Sequence, residues 1–532
     1  MIFKKIIFLA WLVILTANVF ATGRLQGILP EFEKYVEKVQ AEWGAPGVAI
    51  GIVKDGKIVY MKGFGVREVG TDKKIDEHTV FQIASLTKNV LVHLFAKLVQ
   101  EGKINWDDPV TKHIPTFFIG NPHVTTQFTI RDLISHRSGL PSFSCDSLWY
   151  LDFSTDEIIQ SLAKIPLKNL VNSKYGYQNQ LFGVASMIAE KVTGKTIEVL
   201  FKEYFFTPLH LNDSSVGLKA INPEKSFFNR IFTSGENLNV AYPHDDRGGT
   251  ARKMELSPLI YRFPGSSGAN MSVADLSQWM IFMINKGVHD GKTLIDENQY
   301  TQLITPNIDC SMKYDDSQFP GDRYKSVAYG MGHFIMQYGE GTKFLKTFGH
   351  MGGFYGTRSL MVVAPEEKLG IVVLSNYGSF RVSLVPEAIH NKFMDLYLGL
   401  SEIDWSKRLR DEFVSIKKQN KMYKTIQRLQ NPKTARALTD YTGTYKNDLY
   451  GQLELKQDKN TLFLIFRNKK IHLEHFNGNE FVFPGHLLSE TYCESDIGYI
   501  DFGARNGNKL DVCAISSLLN EGKDHGLFER TQ

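Results

Sequence analysis

Apolar positions along the chain change spacing several times, and each change marks an element. Leu29, Phe32, Val36 and Val39 recur at helical spacing, which predicts a helix from about Ile28 to Trp43. Val48, Ile50 and Ile52 then alternate with polar or small residues, Lys54, Asp55, Gly56 and Lys57 read as a turn, and Ile58 to Phe64 reads as the return strand of a hairpin. From Ser85 to about Gly102 the helical period returns, with Val92, Phe95, Ala96 and Val99 on one face and Gly102 as the stop. The stretch that follows, to about residue 335, reads as helices and loops. Its clearest helix runs from Asn179 to Gly194, and another begins near Ser272 with Asp275 in its first turn. Three short apolar runs, Phe344 to Phe348, Ser359 to Val363 and Leu369 to Leu374, then alternate with turn signals.

Strands at both ends of a region with helices between them predict an α+β domain. One antiparallel sheet is assembled from the N- and C-terminal parts, flanked by helices and carrying a helical insert, with a cleft where sheet and insert meet. Residues 404–436 form a charged, mostly helical connector carrying Leu409, Phe413 and Ile416. From Tyr441 the period becomes two: Leu453 and Leu455, then Leu462, Leu464 and Phe466 alternate with polar neighbours, and 458–460 and 477–479 read as turns. A separate small all-β, barrel-like domain over 437–532 is expected, after a main domain over 22–403.

Composition narrows the chemistry. The 532 residues are 43% hydrophobic, and Lys plus Arg (61) nearly balances Asp plus Glu (57), so no global field favours a nucleic-acid partner. Lys4 and Lys5, the apolar run from Ile6 through Val19, and small residues ending at Ala21 read as a secretory signal over residues 1–21. Thr16 and Asn18 interrupt that run, and no later stretch is long and apolar enough to span a bilayer. An exported, periplasmic or extracellular protein is expected. Cys145, Cys310, Cys493 and Cys513 are too scattered for a metal site; if oxidised, Cys493 with Cys513 is the favoured pair, since both fall in the C-terminal β region.

Three groups of residues carry candidate chemistry. Ser85 and Lys88 form an S-x-x-K at the start of an apolar helix, one turn apart on one face, where a desolvated amine can take the serine proton. The same spacing joins Ser161 to Lys164 and Ser415 to Lys418, but those pairs lie in polar stretches and read as solvated surface. Tyr177 and Asn179 stand at a loop-to-helix junction, where a phenol serves as base or proton relay and an amide holds Lys88 or substrate. His350, Met351, Gly352 and Gly353 fall between one predicted strand and the next; the glycines admit close backbone approach, and an amide there offers one arm of an oxyanion hole.

Taken in order, Ser85-x-x-Lys88, Tyr177-x-Asn179 and His350-x-Gly352 resemble the β-lactamase-like serine hydrolases: class C β-lactamases, low-molecular-weight penicillin-binding proteins, D-aminopeptidases and esterases. The run from Leu133 to Pro141, the stretch from Pro264 to Trp279 and the Val373–Asn376 strand end are similar to further motifs of that family. The likeness covers roughly residues 30 to 400, and the tail resembles the small β domain often appended to such enzymes. The resemblance implies a β-lactamase/transpeptidase-like fold and an acyl-enzyme mechanism without metal or cofactor. Ser85 is then the nucleophile, with Lys88 and Tyr177 sharing proton transfers. The amides of Ser85 and Gly353 form the oxyanion hole, and Asn179, His350, Gly352 and Asn376 bind substrate.

One position departs from the family pattern. His350-Met351-Gly352 stands where β-lactamases and transpeptidases usually carry K-T-G, so the permanent cation for a substrate carboxylate is missing and esterase or peptidase activity is favoured over β-lactam recognition. Asn376 and Arg358 are the remaining candidates to meet a carboxylate. The alternative class is a catalytically silent protein binding peptidoglycan or a partner on the same fold. An α/β-hydrolase is excluded by the lack of a G-x-S-x-G string. His472 and His475, in an alternating β pattern, do not make a zinc site. Substrate choice is expected to reside in the loops Ser142 to Tyr150 and Tyr242 to Arg252.

Overall fold

The computed structural model describes residues 25–222, 238–246, 250–310, 319–378, 383–419, 431–484, 487, 497–503, 512–515 and 527–531. The side chains at 413, 415–419, 497 and 512–515 are not described. The expected signal segment and Cys493 therefore lie outside the described residues, and the side chains of Ser415, Lys418 and Cys513 outside the described side chains. So do the side chains of Phe413 and Ile416 in the expected connector. Cys145 and Cys310 are buried.

Helix α1 (residues 25–43) precedes the hairpin of β1 (Gly47–Lys54) and β2 (Lys57–Gly65). Six more strands complete one antiparallel sheet: β3 (Ile308–Asp309), β4 (Tyr324–Tyr329), β5 (Phe334–Glu340), β6 (Lys343–Phe354), β7 (Thr357–Ala364) and β8 (Leu369–Ser375). The order is β3-β4-β5-β6-β7-β8-β1-β2, so the last strand in sequence pairs with the first, Ile50 opposite Val373. The helical insert between β2 and β3 is thus held by a sheet closed from both ends of the domain, as the strand-helix-strand pattern predicts.

Both faces of this sheet are covered, which explains why its central strands are wholly buried. Ala49 and Val53 of β1 and Val372 and Leu374 of β8 face the insert, while Val48, Ile50, Ile371 and Val373 face a second core with Phe32 of α1 and Phe393. On the insert side α6 (Val273–Ile284) lies so close that a Cβ on Gly51 would fall 2.3 Å from Ser277 Oγ. Opposite it, α7 (Val385–Leu398) and α8 (Trp405–Gln419) join α1, and Trp405 donates to Asp395 at 2.7 Å. The front of the charged connector, with buried Trp405 and Leu409, therefore packs against the main domain.

Two expectations need correction. The region up to residue 335 is not only helices and loops, because β3, β4 and the first residues of β5 lie in it. Their signal is weak because a bulge between Tyr324 and Ser326 breaks the alternation. The segment His350–Gly353 does not lie between strands. It continues β6, whose three glycines at 349, 352 and 353 hide a twelve-residue strand from any propensity argument.

The C-terminal region is a closed antiparallel barrel of eight strands: β9 (Gly443–Asn447), β10 (Gly451–Asp458), β11 (Thr461–Phe466), β12 (Lys469–Asn477), β13 (Glu480–Pro484), β14 (Ile497–Gly503), β15 (Val512–Ile515) and β16 (Leu527–Arg530). The predicted alternation is the barrel's inside: Leu453, Leu455, Leu462, Leu464 and Phe466 are buried. On β12, His472 and His475 are exposed beside buried Ile471 and Leu473.

Candidate active site

Ser85 is the middle residue of a single 3-10 turn, Ala84–Leu86, that runs directly into α2 (Thr87–Gln100). Three residues per turn bring positions i and i+3 into register, which aims Lys88 at Ser85 more directly than a pure α-helix would. Ala84 holds a left-handed φ of 48°, a conformation that costs a non-glycine residue about 1–2 kcal/mol. The bend is braced by Thr87 Oγ1 donating to the Ala84 carbonyl at 2.7 Å and by Ser359 Oγ of β7 donating to the Ile83 carbonyl at 2.8 Å.

Lys88 is fully buried. Its Nζ lies 3.0 Å from Ser85 Oγ, 2.8 Å from Asn179 Oδ1, and 2.9 and 3.1 Å from the hydroxyl and carbonyl oxygens of Ser266. Burial is the largest influence on the amine and drives its pKa down to about 7, against the opposing pull of the Asp146 charge. Near neutral pH a large fraction is therefore the free base, in hydrogen-bonding contact with the hydroxyl of Ser85, a residue partly open to solvent.

The Tyr177 phenol neighbours Ser85, which pulls its pKa down against the rise from burial, and the Tyr177 ring lies 4.9 Å from Lys88 Nζ. Burial pushes its phenol upward, well away from neutrality, so it stays protonated and fits a relay better than a tyrosinate base. The Leu133–Pro141 run builds its seat. Gln178 N–H donates to His136 Nδ1 at 3.1 Å, and the His136 ring lies 4.2 Å from that of Tyr177. The Ser142–Tyr150 loop also reaches it: Phe143 N–H donates to the Tyr177 carbonyl at 2.7 Å, and the Phe143 ring, 51% exposed, stands 5.3 Å from the phenol.

Asn179 opens α4 (Asn179–Thr193). Its Oδ1 faces Lys88 while its Nδ2 donates to Asp146 at 2.9 Å, and Gln180 donates to the other Asp146 oxygen at 2.8 Å. Asp146 is the first residue of α3 (Asp146–Tyr150), and Ser266 sits in α5 (Pro264–Ser267).

Strand β6 supplies the opposite wall. Its pairing with β5 ends at Gly349, so residues 350–354 leave one edge free beside the Ser85 turn. A Cβ on Gly352 would fall 2.1 Å from the Ile83 carbonyl and 3.0 Å from the Ser85 amide nitrogen, so only glycine permits this approach. The two-residue turn between Phe354 and Thr357 makes that pair the hydrogen-bonded one, and antiparallel alternation then turns the Gly353 N–H to the free edge, on the side of Ser85. Ser85, Tyr177, Asn179 and Gly353 are partly open to solvent, and Lys88, Ser266 and Gly352 form the buried floor.

The remaining sequence candidates point elsewhere. His350 is 1% exposed, and its Nδ1 lies 2.5 Å from the Met351 carbonyl and its Nε2 3.1 Å from Tyr329 OH. A carbonyl only accepts, so Nδ1 carries the proton and Nε2 takes the one from Tyr329. Burial, reinforced by the Lys88 charge, pushes the imidazole well below its ordinary pKa and keeps it neutral. Arg358 is buried and paired with Glu387 of α7. Asn376 spends its amide protons on the carbonyls of Val66 and Arg67 at 3.1 Å each. In the other expected loop, His244 N–H donates to the Gly356 carbonyl at the β6–β7 turn, while residues 247–249 are not described.

The second S-x-x-K differs from the solvated reading, because Ser161 is buried although Lys164 is exposed. Sequence reasoning missed Asp146, Ser266 and the bracing role of His136. All three lie in segments already notable, the first in the expected specificity loop and the others inside the matched motif runs. Among the described residues, His210, His289 and Asp290 bring three possible ligand atoms within 4.8 Å of one another. That group, exposed at His210 and Asp290 and half-buried at His289, shares no residue with the Ser85 cluster.

A family profile described as Beta-lactamase matches residues 32–389. The chain belongs to the Beta-lactamase family. As a member it is a hydrolase of the β-lactamase/transpeptidase-like fold, and its C-terminal region matches a second profile, a domain of unknown function (DUF3471), over residues 427–509. Unguisins hydrolase ungD of Aspergillus violaceofuscus is 25% identical over 450 residues, covering 80% of this chain and 76% of that one. Protein flp of Staphylococcus aureus strain N315 is 24% identical over 370 residues, covering 69% of this chain and 66% of that one. Among solved structures, the octameric penicillin-binding protein homologue from Pyrococcus abyssi aligns with a TM-score of 0.57 at 21% identity, over 94% of this chain and all of the other. SurE aligns at 0.52 with 16% identity, over 96% and 99%. These two likenesses concern the fold.

Proposed function

We propose that this Beta-lactamase family member is an exported serine hydrolase that cleaves esters, amides or peptides through an acyl-enzyme on Ser85. The observation that carries the reading is the buried Lys88 amine 3.0 Å from the hydroxyl of Ser85, a residue partly open to solvent, with the Tyr177 ring 4.9 Å from the same amine. Neutral Lys88 takes the Ser85 proton as Oγ attacks the carbonyl carbon, and the amides of Ser85 and Gly353 receive the oxyanion. Tyr177 relays the proton from Lys88 to the departing group, which frees the amine to deprotonate the water that attacks the acyl carbon, and the proton then returns to Ser85 Oγ as the acyl group leaves. A relative named as a hydrolase supports turnover rather than silent binding.

The substrate reading follows from which cations are spoken for. His350 is neutral and locked between Tyr329 and Met351, and Arg358 is neutralised by Glu387. This supports a substrate without a carboxylate at that end, while exposed Phe143 beside Tyr177 supports an apolar group at the mouth. The test is labelling with a serine-reactive fluorophosphonate and with a fluorescent penicillin, using Ser85→Ala as control, followed by p-nitrophenyl acyl esters, D-amino-acid anilides and a chromogenic cephalosporin. Fluorophosphonate labelling at Ser85 and faster turnover of short acyl esters than of the cephalosporin are expected. Failure of both reagents would instead favour a protein that binds peptidoglycan or a partner without turnover.

A further inference from the structure

Helix α3 touches the active site at one end and the barrel along one side. Asp146 receives the amides of Asn179 and Gln180. The next residue, Ser147, has its Oγ 2.8 Å from Tyr450 OH, and both residues are buried. Tyr450 lies at the tip joining β9 to β10, which Asn447 Oδ1 folds by accepting from the amides of Leu449 and Tyr450 at 2.8 and 2.9 Å. The barrel holds the following residues too: Lys469 pairs with Asp152 at 3.0 Å, Arg467 meets Glu157 at 3.3 Å, and its guanidinium lies 4.1 Å from the centre of the Phe153 ring. At its far end α3 sets Tyr150 edge-to-face against Tyr355, in the turn that follows Gly353. Trp149 packs on Phe263, next to the helix carrying Ser266.

The chemistry of Asn179 requires such a hold. An amide side chain has one accepting and one donating end of nearly equal shape, and Lys88 needs the accepting end. A carboxylate only accepts, so Asp146 captures Nδ2 and leaves Oδ1 on the amine; without it the amide can rotate and set two N–H groups against Lys88.

We propose that the barrel is a working part of the active site: its Leu449–Tyr450 tip holds α3, and Asp146 is the positioning residue that keeps the Asn179 oxygen on Lys88. This rests on the reading of Ser85 and Lys88 as nucleophile and base. The titratable or charged groups facing Lys88 are Asp146 from α3, Tyr177 ahead of α4, His136 from the Leu133–Pro141 run and His350 from the sheet, with Arg358, paired to Glu387, acting on Tyr177 and His350. Of the groups facing Lys88, Asp146 alone is a carboxylate, so its removal has a defined sign: the acid limb of the rate moves to lower pH while the plateau falls.

The test compares full-length wild type, Asp146→Asn and Tyr450→Phe by the pH dependence of the fluorophosphonate labelling rate, by kcat and KM on an acyl ester, and by thermal melting. Asp146→Asn is expected to lower the labelling plateau and kcat roughly 10- to 100-fold, with KM little changed and the acid limb displaced downward. Tyr450→Phe, which removes one hydroxyl far from the reacting atoms, is expected to lower the same plateau by about 3- to 10-fold. Labelling of folded Asp146→Asn at the wild-type rate and profile would overturn the positioning role. A Tyr450→Phe variant that melts lower yet labels like wild type would overturn the part given to the barrel, and this variant decides the matter should Asp146→Asn not fold. If wild type itself does not label at Ser85, the nucleophile reading fails and this proposal falls with it.

Discussion

Two buried basic side chains, Lys88 in the insert and Arg358 on the sheet, do opposite things. Arg358 is met by the Glu387 carboxylate, whereas Lys88 is met by hydroxyl, carbonyl and amide oxygens, with Asp146 reaching it only through Asn179. A charge buried with a counter-ion stays charged and acts as scaffold. A charge buried among neutral acceptors sheds its proton near neutral pH and becomes a base. The contrast also explains why β6 and β7 contribute backbone to the site while the insert contributes side chains.

The comparison breaks most visibly at the reactive pair. Ser85→Ala and Lys88→Met should each lower ester turnover by about 10⁴-fold or more, measured as kcat/KM, while leaving the fold intact by circular dichroism. On the other side, Glu387→Ala leaves Arg358 buried without its counter-ion. It should cost about 3–5 kcal/mol of stability in denaturant unfolding, with the labelling rate of the folded fraction little changed. Gly352→Ala lies between these effects. Its methyl group would press on the Ile83 carbonyl and displace β6 from the Ser85 turn, so the labelling rate should fall by about 10²-fold. The smallest effect is expected at His350. Because this imidazole is already neutral and points to Tyr329 and Met351, His350→Asn should change the rate by less than about 5-fold and leave the acid limb where it is. A displaced limb in that variant would show that His350 titrates within the site.

Where interactions are local, the chain announces its structure in advance. The β1–β2 hairpin, α4 with its glycine stop at Gly194, and the alternating barrel strands follow from the spacing of their own residues. The chemical group Ser85, Lys88, Tyr177 and Asn179 was legible as well, because S-x-x-K at a helix start and a Tyr-x-Asn junction are short motifs in a fixed order. What stayed hidden depends on distant partners. The extension of β6 through His350–Gly353 is paired with β7 and lies against the Ser85 turn, and glycine in a strand carries no signal of that second contact. Whether Arg358 and Asn376 face a substrate or the scaffold depends on Glu387 and on the Val66–Arg67 carbonyls, both far away in sequence. Asp146 is one acidic residue in a loop until α4 folds beside it.

The central claim is that the amine of Lys88 activates Ser85. Its most direct test is the rate of fluorophosphonate labelling at Ser85 against pH, in wild type and in Lys88→Met. A base must be unprotonated to act, so with its pKa lowered to about 7 the wild-type rate should rise with pH through a midpoint near that value and then level off. In Lys88→Met that limb should vanish along with most of the rate. A Lys88→Met variant that keeps the wild-type limb would contradict the account.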